Sequence, residues 1–456
     1  MNLHSDKEAF KEIIALAAEH FGYEQSHVEK DYWVSKILRD ISMSEYADKT
    51  YFKGGTSLSK AYGLIERFSE DLDLFVFTGD KGASKQAEKT LNKKLSKYIA
   101  ELNSDIYKED LSETGGNYRK LYFSYDNVFQ GVGLKEHLEV EIKSSELPKV
   151  GGTFVQAESE VAAINMVYGA AAAGARVLTS SSSPGIALKQ EGIGYISNAG
   201  LPAVIINMMR GGPGLGTIQP GQADYNMAVK GGANGDYHNV VLAPASVQEA
   251  VNMVMEAFDI ADMYGIPVIV LADGLIGQMM EPVEFNYVRR EGIPEKTWAL
   301  TGKGKGERHN IKNLVIDPDD CENWNHEHFE VYEKVEANEQ AWEEYLLDDA
   351  EYAFVSYGTA SRVVRTAIGY LRAEGYKVGM LRPKTLWPFP QKAFDKWNGQ
   401  IKKYLDVEMS MGQMVPDVAY ACNDKNKVAF HGRTGGNVPT VDEVVAFGKE
   451  VMGGDK

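Results

Sequence analysis

Four short, mainly apolar runs constrain the fold of the last two thirds of the chain most strongly. They cover residues 175–179, 203–208, 240–243 and 267–272. Continuous apolar runs, rather than alternating ones, are typical of strands that are buried on both faces of a parallel sheet. The segments between them are long enough for helices. The pattern therefore predicts an α/β fold with a doubly wound parallel sheet.

One intervening helix carries signals at both of its ends. Ser246 and Glu249 form a capping box, and Gly265 can take the left-handed conformation that ends a helix. We therefore predict a helix over 247–264. Further along, an acidic helix is predicted within 319–350. A second α/β unit is predicted from a helix over 361–374 and strands over 353–358, 377–381, 406–409 and 428–430.

The segment 151–185 combines acidic residues, small residues and a serine-rich turn. A predicted strand over 153–156 precedes Glu158 and Glu160, and the helix that follows has no side chain larger than a methyl group over 169–175. Such a helix lets another backbone or a flat ligand come close. The turn over 180–185 follows a strand, and ligands of open α/β sheets bind at the carboxyl ends of strands.

Several motifs in this part of the chain are shared with a known family. They are TFVQAESE (153–160), EGIGYISNAGLPAVIINMMRGGPGLGTIQPGQADY (191–225), KGGANGDYHNVVLAPASVQEAV (230–251), PVIVLADGLIGQMMEPV (267–283) and LRPKTLWPFP (381–390). In these motifs the chain resembles the alpha subunits of the 2-oxoacid:ferredoxin oxidoreductases, most closely those acting on 3-methyl-2-oxobutanoate. The resemblance implies a thiamine-diphosphate-binding domain of the pyrimidine type over 148–315, an acidic connector over 316–350 and a transketolase C-terminal-like α/β domain over 351–456.

The same resemblance assigns roles to individual residues. Glu160 would hydrogen-bond N1′ of the aminopyrimidine ring of thiamine diphosphate and so favour its imino tautomer. Arg210 would pair with the substrate carboxylate through two parallel hydrogen bonds. Ser182, Pro184 and Gly185 would shape the cofactor site in the serine-rich turn.

The implied reaction is the oxidative decarboxylation of 3-methyl-2-oxobutanoate and related branched 2-oxo acids to acyl-CoA, with coenzyme A and ferredoxin as co-substrates. The chain has no GDG-type motif for diphosphate and Mg²⁺, and Cys321 and Cys422 lack cluster-binding spacing. Thiamine diphosphate would therefore be shared with a beta subunit that carries the diphosphate–Mg²⁺ site. Iron–sulfur clusters would lie only on partners, including a ferredoxin-like subunit. A YPITP-like loop of the family is not found upstream, so we expect an amino-truncated subunit that is inactive alone.

The first third of the chain has a different pattern. Gly54 and Gly55 lie between a predicted strand and a predicted helix, where backbone N–H groups can approach phosphates. Asp71 and Asp73 are two apart on a predicted strand, so their carboxylates share a face, as a Mg²⁺ site requires. Glu141, on a predicted strand over 137–145, offers a third carboxylate for a two-metal site of phosphoryl or nucleotidyl transfer.

Three motifs of this part resemble the AbiEii-type nucleotidyltransferases, the toxin half of type IV toxin–antitoxin systems. They are EKDYWVSKIL (29–38), FKGGTSLSK (52–60) and RFSEDLDL (67–74). By this resemblance Asp71, Asp73 and Glu141 would bind Mg²⁺, and an NTP would be held by Gly54, Gly55, Ser57 and Lys60. The helical second half of that family does not follow, so residues 1–147 are interpreted as a truncated nucleotidyltransferase-like domain.

Composition narrows the choice of function and of cellular location. A net charge of -17 and a pI near 5.1 disfavour a broad surface for nucleic acid or anionic membranes. We find no apolar run that could span a bilayer and no signal-peptide core, so we expect a cytoplasmic protein without a membrane partner. The oxidoreductase subunit is the favoured function. A Mg²⁺-dependent nucleotidyltransferase toxin, and an inactive chimeric fusion or gene-model artefact with its seam at Pro148, stay open as alternatives.

Overall fold

The computed structural model describes residues 3–53, 71–76, 85–114, 118–125, 128–129, 138–143, 152–155, 157–302 and 309–453. The chain divides into two compact units, Met1–Glu158 and Ser159–Lys456. Each unit has its own hydrophobic core.

The first unit packs helices against a mixed sheet. Its described elements are α1 (Lys7–Phe21), α2 (Gln25–Ser42), β1 (Thr50–Lys53), β2 (Asp71–Val76), α3 (Lys85–Leu102), β3 (Tyr107–Thr114), β4 (Tyr118–Phe123) and β5 (Leu138–Lys143). The strand order is β1-β2-β5-β4-β3, in which β2 and β5 are parallel and the other neighbours are antiparallel. The predicted strand around Asp71 and Asp73 is confirmed; the hairpin of β3 and β4 was not predicted.

Local signals in the sequence account for this unit. Helix α1 begins after Asp6, whose side chain accepts a hydrogen bond from the Ala9 N–H, and it ends at Gly22 with a φ of 71°. On β2, Leu72 and Leu74 are buried in the same cluster as residues of α2. Burial of every second residue is expected of a strand that packs one face on helices.

The second unit begins with the predicted doubly wound domain. Its elements are α4 (Glu160–Ala172), β6 (Leu178–Ser181), α5 (Ser183–Asn198), β7 (Ala203–Met209), α6 (Tyr225–Val229), β8 (Val240–Leu242), α7 (Val247–Tyr264), β9 (Pro267–Asp273) and α8 (Gly274–Gln278). Strands β8, β9, β7 and β6 lie side by side in parallel, as predicted. Strand β6, however, covers Leu178–Ser181 instead of the predicted 175–179, so it includes two serines of the predicted turn. Strand β6 forms an edge of this sheet among the described strands.

A second sheet completes the unit. The remaining elements are α9 (Pro318–Asn338), β10 (Trp342–Tyr345), β11 (Tyr352–Val355), α10 (Gly358–Ala373), β12 (Val378–Pro383), β13 (Thr385–Trp387), α11 (Gln391–Trp397), β14 (Lys403–Glu408), α12 (Val415–Ala421), β15 (Val428–Gly432) and α13 (Val441–Gly453). The order of the second sheet is β10-β12-β11-β14-β15, and β13 returns to pair antiparallel with β8 of the first sheet.

Three local predictions need correction. The strand predicted over 153–156 is wrong for the described residues 152–155, which are irregular. The acidic helix predicted within 319–350 ends at Asn338, because Trp342–Tyr345 pairs with β12 as a strand. The helix over Val247–Tyr264 is confirmed, and the Glu249 N–H bonds the Ser246 hydroxyl. The Glu249 carboxylate, however, accepts from the Ala245 N–H instead of from the N–H of the N-cap residue Ser246, so the predicted capping box is only half formed.

Buried polar side chains join the two sheets of this unit. Asp273, at the end of β9, accepts hydrogen bonds from the N–H and the hydroxyl of Thr359 at 2.9 and 2.6 Å. Gln222 donates to the Tyr357 carbonyl and accepts from the Met409 N–H. Gly358 lies between them with a φ of 56°, and a Cβ there would come within 2.9 Å of both polar side chains. The junction therefore requires glycine at this position.

Asp406 and Glu408, on β14, form a fully buried pair of carboxyl groups. Glu408 accepts from the Ser410 hydroxyl and the Met414 N–H, whereas both Asp406 oxygens have no partner among the described residues. Burial, followed by the neighbouring carboxyl group, raises the pKa of Asp406 well above its ordinary value. Burial raises the pKa of Glu408 to about 7. Both shifts favour the protonated carboxyl groups in the folded state.

We predict that this pair makes the stability fall as the pH rises. Both pKa values are raised in the folded state, so their contribution is complete below the unfolded values and is lost as the pH rises through the folded ones. Between about pH 5 and about pH 8, the free energy of unfolding should fall by roughly 1–3 kcal/mol from this source. Urea unfolding of the full chain at each pH measures the slope.

Asp406→Asn should reduce the fall of the free energy of unfolding with pH, because the amide at position 406 does not titrate. The exposed Asp348→Asn is the matched control and should keep the slope of the parent protein. An equal slope in the parent protein and in Asp406→Asn would contradict the prediction.

Candidate active site

The carboxyl ends of β6 and β7 meet the amino-terminal ends of α4 and α5. Glu160 is the first residue of α4, whose N-cap Ser159 accepts a hydrogen bond from the Ala162 N–H at 3.2 Å. The Ser159 side chain thus fixes the start of the helix, and Glu160 keeps a partly exposed position. Glu160 therefore lies at the amino-terminal end of α4 with part of its surface exposed.

Gly185 allows α5 to approach Glu160 closely. It is buried in the first turn of α5, and a Cβ there would overlap the Ser181 hydroxyl oxygen and lie 2.8 Å from Oε1 of Glu160. Glu160, Ser181 and Gly185 therefore lie together. The sequence predicted two of these positions, but Ser181 was not singled out among the serines of the turn.

The other two predicted turn residues lie at the start of α5. Ser182 is the N-cap, and its side chain makes no capping hydrogen bond, although its carbonyl accepts from the Gly185 N–H at 2.7 Å. Pro184 lies in the first turn, where its missing N–H costs no helical hydrogen bond. Both residues are half-buried, so they contribute backbone and shape to this end of the helix.

Arg210 follows the last residue of β7, as predicted. Its backbone N–H donates to the Ser183 hydroxyl at 3.0 Å, which ties the end of β7 to the start of α5. Arg210 also forms an isolated bridge with Pro220. Nε of its side chain is buried without a hydrogen-bond partner among the described residues, which is uncommon for a buried donor.

The glycine-rich segment after Arg210 folds back on itself. The Gly211 N–H donates to the Gln219 carbonyl, and the Thr217 N–H donates to the Gly211 carbonyl. A Cβ at Gly211 would lie 2.7 Å from the backbone nitrogen of Gly436, in the loop after β15. The second sheet thus supports the segment that holds Arg210.

Lys189 was not predicted from the sequence. Its side chain is only 2% exposed, and Nζ donates to the Thr179 hydroxyl at 2.7 Å and to the Ser180 carbonyl at 3.1 Å. Burial lowers the pKa of Lys189, and the charge of Glu160 opposes this shift. The sequence feature that could have indicated Lys189 is its place one helical turn after Gly185, which puts both residues on one face of α5.

The predicted metal ligands of the first unit lie on paired strands. Asp71 is in register with Glu139, and Asp73 is in register with Glu141, along the parallel pair of β2 and β5. The predicted phosphate-binding residues Gly54, Gly55, Ser57 and Lys60 lie outside the described residues. Among the side chains that the structure describes, no group of three or more His, Cys, Asp or Glu could hold a metal ion. The metal site therefore stays a prediction.

Family comparisons define the class of each part. Residues 138–345 match pyruvate flavodoxin/ferredoxin oxidoreductase, thiamine-diphosphate-binding, and residues 350–444 match pyruvate:ferredoxin oxidoreductase core domain II. Residues 36–167 match the nucleotidyl transferase AbiEii toxin of type IV toxin–antitoxin systems. The strand-end site thus lies in a thiamine-diphosphate-binding α/β domain. Because the matches overlap, the boundary near Pro148 stays a prediction.

Similarity to individual proteins shows to which kind of subunit the chain belongs. The ketoisovalerate oxidoreductase subunit VorB of Methanothermobacter thermautotrophicus is 49% identical over 312 residues, which are 68% of this chain and 88% of the relative. The 2-oxoglutarate synthase subunit KorA of Methanocaldococcus jannaschii is 33% identical over 342 residues, covering 69% and 92%. The chain belongs to the 2-oxoacid:ferredoxin oxidoreductase family, as an alpha subunit of the VorB/KorA type. The predicted enzyme class, an oxidoreductase that uses ferredoxin as acceptor, is confirmed.

A solved structure supports the fold. The 2-oxoglutarate:ferredoxin oxidoreductase from Magnetococcus marinus aligns with a TM-score of 0.60 at 21% identity, covering 98% of this chain and 74% of that one. The predicted α/β fold class is confirmed. Within the described residues, no helix combines the length and apolarity needed to cross a membrane.

We predict that Gly185→Ala disrupts this site more than it disrupts the fold. The added methyl group would displace the side chains of Ser181 and Glu160. Residues in contact couple by about 0.5–3 kcal/mol, so the affinity for thiamine diphosphate should fall by roughly tenfold to a hundredfold. Titration of the assembled enzyme with thiamine diphosphate should show this loss of affinity. Gly169→Ala, on α4 with no atom within 4 Å of the new Cβ, is the matched control. Equal affinities in both variants would contradict the prediction.

Proposed function

We propose that this alpha subunit acts on 3-methyl-2-oxobutanoate and related branched 2-oxo acids and converts them to acyl-CoA with ferredoxin as acceptor. The observation that carries the proposal is the approach of Glu160 to Gly185 at the carboxyl ends of β6 and β7, beside Arg210. The substrate follows from the relatives. Those named for ketoisovalerate are 49% and 48% identical, whereas one named for 2-oxoglutarate synthesis is 33% identical.

The residues present fit thiamine diphosphate. Gly185 lets the α5 backbone lie directly against the Glu160 carboxylate, since a Cβ there would come within 2.8 Å of Oε1, and Glu160 is partly exposed. Glu160 would hold the proton at N1′ of the aminopyrimidine ring, and Ser182 and Pro184 would shape the wall beside it. When bound, the cofactor supplies the nucleophilic carbon and the electron sink for the loss of CO₂.

Arg210 is the proposed partner of the substrate carboxylate. Its backbone is held by Ser183 and by the bridge to Pro220, so the start of the side chain is fixed. The unpartnered Nε supplies one donor of the planar fork that binds a carboxylate through two hydrogen bonds. Binding there would orient the keto carbon before reaction, which is the main use of such a clamp.

Partner subunits complete the proposed enzyme. A beta subunit would carry the diphosphate–Mg²⁺ site, and a ferredoxin-like subunit would carry the iron–sulfur clusters and pass electrons to ferredoxin. This chain has only two cysteines, which cannot supply the four ligands of a cluster. Because ferredoxin and coenzyme A are the proposed co-substrates, we place the enzyme in the cytoplasm. The purified chain alone should not reduce an electron acceptor.

Glu160→Gln tests this function. The amide cannot accept the proton that the carboxylate holds, so kcat should fall by roughly 100- to 10,000-fold in the assembled enzyme. Reduction of ferredoxin with 3-methyl-2-oxobutanoate and coenzyme A is the measurement. Glu158→Gln, two residues earlier and exposed, is the matched control and should remain active. Parent-level activity in Glu160→Gln would reject the assignment.

Nucleotidyl transfer by the first unit is a second candidate. The pairing of Asp71 with Glu139 and of Asp73 with Glu141 in parallel register favours it, as does the AbiEii match. These carboxyl groups would bind Mg²⁺, and an NTP would be the donor.

We predict Mg²⁺-dependent transfer of label from an NTP to RNA or protein, because paired carboxylates can hold the metal that activates a phosphate. The transfer should fall to background in Asp73→Ala and persist in Asp110→Ala, an exposed acid on β3. Label that persists in Asp73→Ala would reject this function. If the assembled protein showed neither ferredoxin reduction nor label transfer, the inactive fusion would be the reading that fits.

A further inference from the structure

Lys189 is a buried ammonium group that the proposed chemistry does not use. Its side chain is 2% exposed, although a lysine is rarely buried unless its charge is compensated. It lies on α5 one turn after Gly185 and just before Gly192, so all three residues share one face of the helix. This face packs against α4, because a Cβ at Gly192 would lie 2.5 Å from Ile164 of that helix.

The hydrogen bonds of Lys189 end on β6. Nζ donates to the Thr179 hydroxyl and to the Ser180 carbonyl, which uses two of the three N–H donors of an ammonium group. The Ser180 carbonyl directly precedes Ser181, whose hydroxyl lies against Gly185. Lys189 therefore fixes the backbone at which the strand turns into α5.

Lys189 lies close in the fold to Glu160. The Lys189 hydrogen bonds end on the strand that carries Ser181, and Ser181 and Glu160 both lie against Gly185, one helical turn from Lys189. The charge of Glu160 opposes the lowering of the Lys189 pKa by burial. Because a buried charge carries a desolvation cost, stability alone gives little reason for a lysine here, and the place of Lys189 beside these residues points to a role in the site.

We propose that Lys189 is a positioning residue for the cofactor: it holds the carboxyl end of β6 and, through its charge, the orientation of the Glu160 carboxylate. This inference rests on the proposed function, in which Glu160 contacts thiamine diphosphate. Lys189 itself touches neither the cofactor nor the 2-oxo acid. Its loss should weaken cofactor affinity and kcat while the KM for the 2-oxo acid stays unchanged.

The experiment compares variants of the assembled enzyme by titration with thiamine diphosphate, steady-state kinetics and thermal unfolding. Lys189→Met should lower cofactor affinity by about tenfold, within the range of coupling between neighbouring residues. Lys189→Arg should restore most of it, because the charge and the donors return. Leu188→Met, the largely exposed neighbour, is the matched control. In Glu160→Gln, adding Lys189→Met should cause little further loss, since Lys189 acts through Glu160.

The outcomes separate the two proposals. Parent-level kcat in Glu160→Gln would overturn both the proposed function and the role of Lys189. Loss of kcat in Glu160→Gln, together with parent-level cofactor affinity and kcat in Lys189→Met, would overturn the role of Lys189 alone. If Lys189→Met unfolds early, Lys189→Gln keeps a donor for Thr179 and removes only the charge. Parent-level affinity in a stable Lys189→Gln would overturn the role of the charge.

Discussion

The close packing of α4 against α5 is the contact on which the candidate site depends. Gly185 and Gly192 lie on one face of α5, and side chains at these positions would collide with Glu160 and Ile164 of α4. Without the two glycines, the helices would separate and Glu160 would move away from the strand ends. Small residues here therefore serve to position a carboxylate, and the apolar strands supply the rigid sheet against which this happens.

A second constraint acts from the other sheet. The hydrogen bonds of Asp273 and Gln222 fix the start of α10 and the end of β14 relative to the first sheet. That arrangement also places Gly436 against Gly211, next to Arg210. The second sheet has no predicted cofactor contact of its own, yet it supports the segment that carries the proposed substrate ligand. Its contribution to the proposed function is thus the position of Arg210.

The sequence predicted the features that depend on local pattern. Strands β6 to β9 and helix α7 follow from apolar runs and caps, and Glu160, Arg210 and Gly185 follow from motifs. Lys189 could not be predicted in the same way, because its role arises from the packing of α5 on β6 and α4, which no local period encodes. Strand β10 was missed for a similar reason: its acidic residues suit a helix, but pairing with β12 decides its conformation.

Strand pairing shows to which sheet the residues matched by both families belong. Residues 138–167 match both an oxidoreductase and a nucleotidyltransferase, yet β5 within them bonds to β2 and β4 of the first sheet. The backbone of β5 is therefore already paired on both sides and cannot also extend the sheet of β6. Among the described strands, β6 keeps an open edge, with Leu178 partly exposed. Because β5 belongs to the sheet of the first unit, the sheet of β7 to β9 ends at β6 among the described strands. This is expected where two families are joined within a short segment.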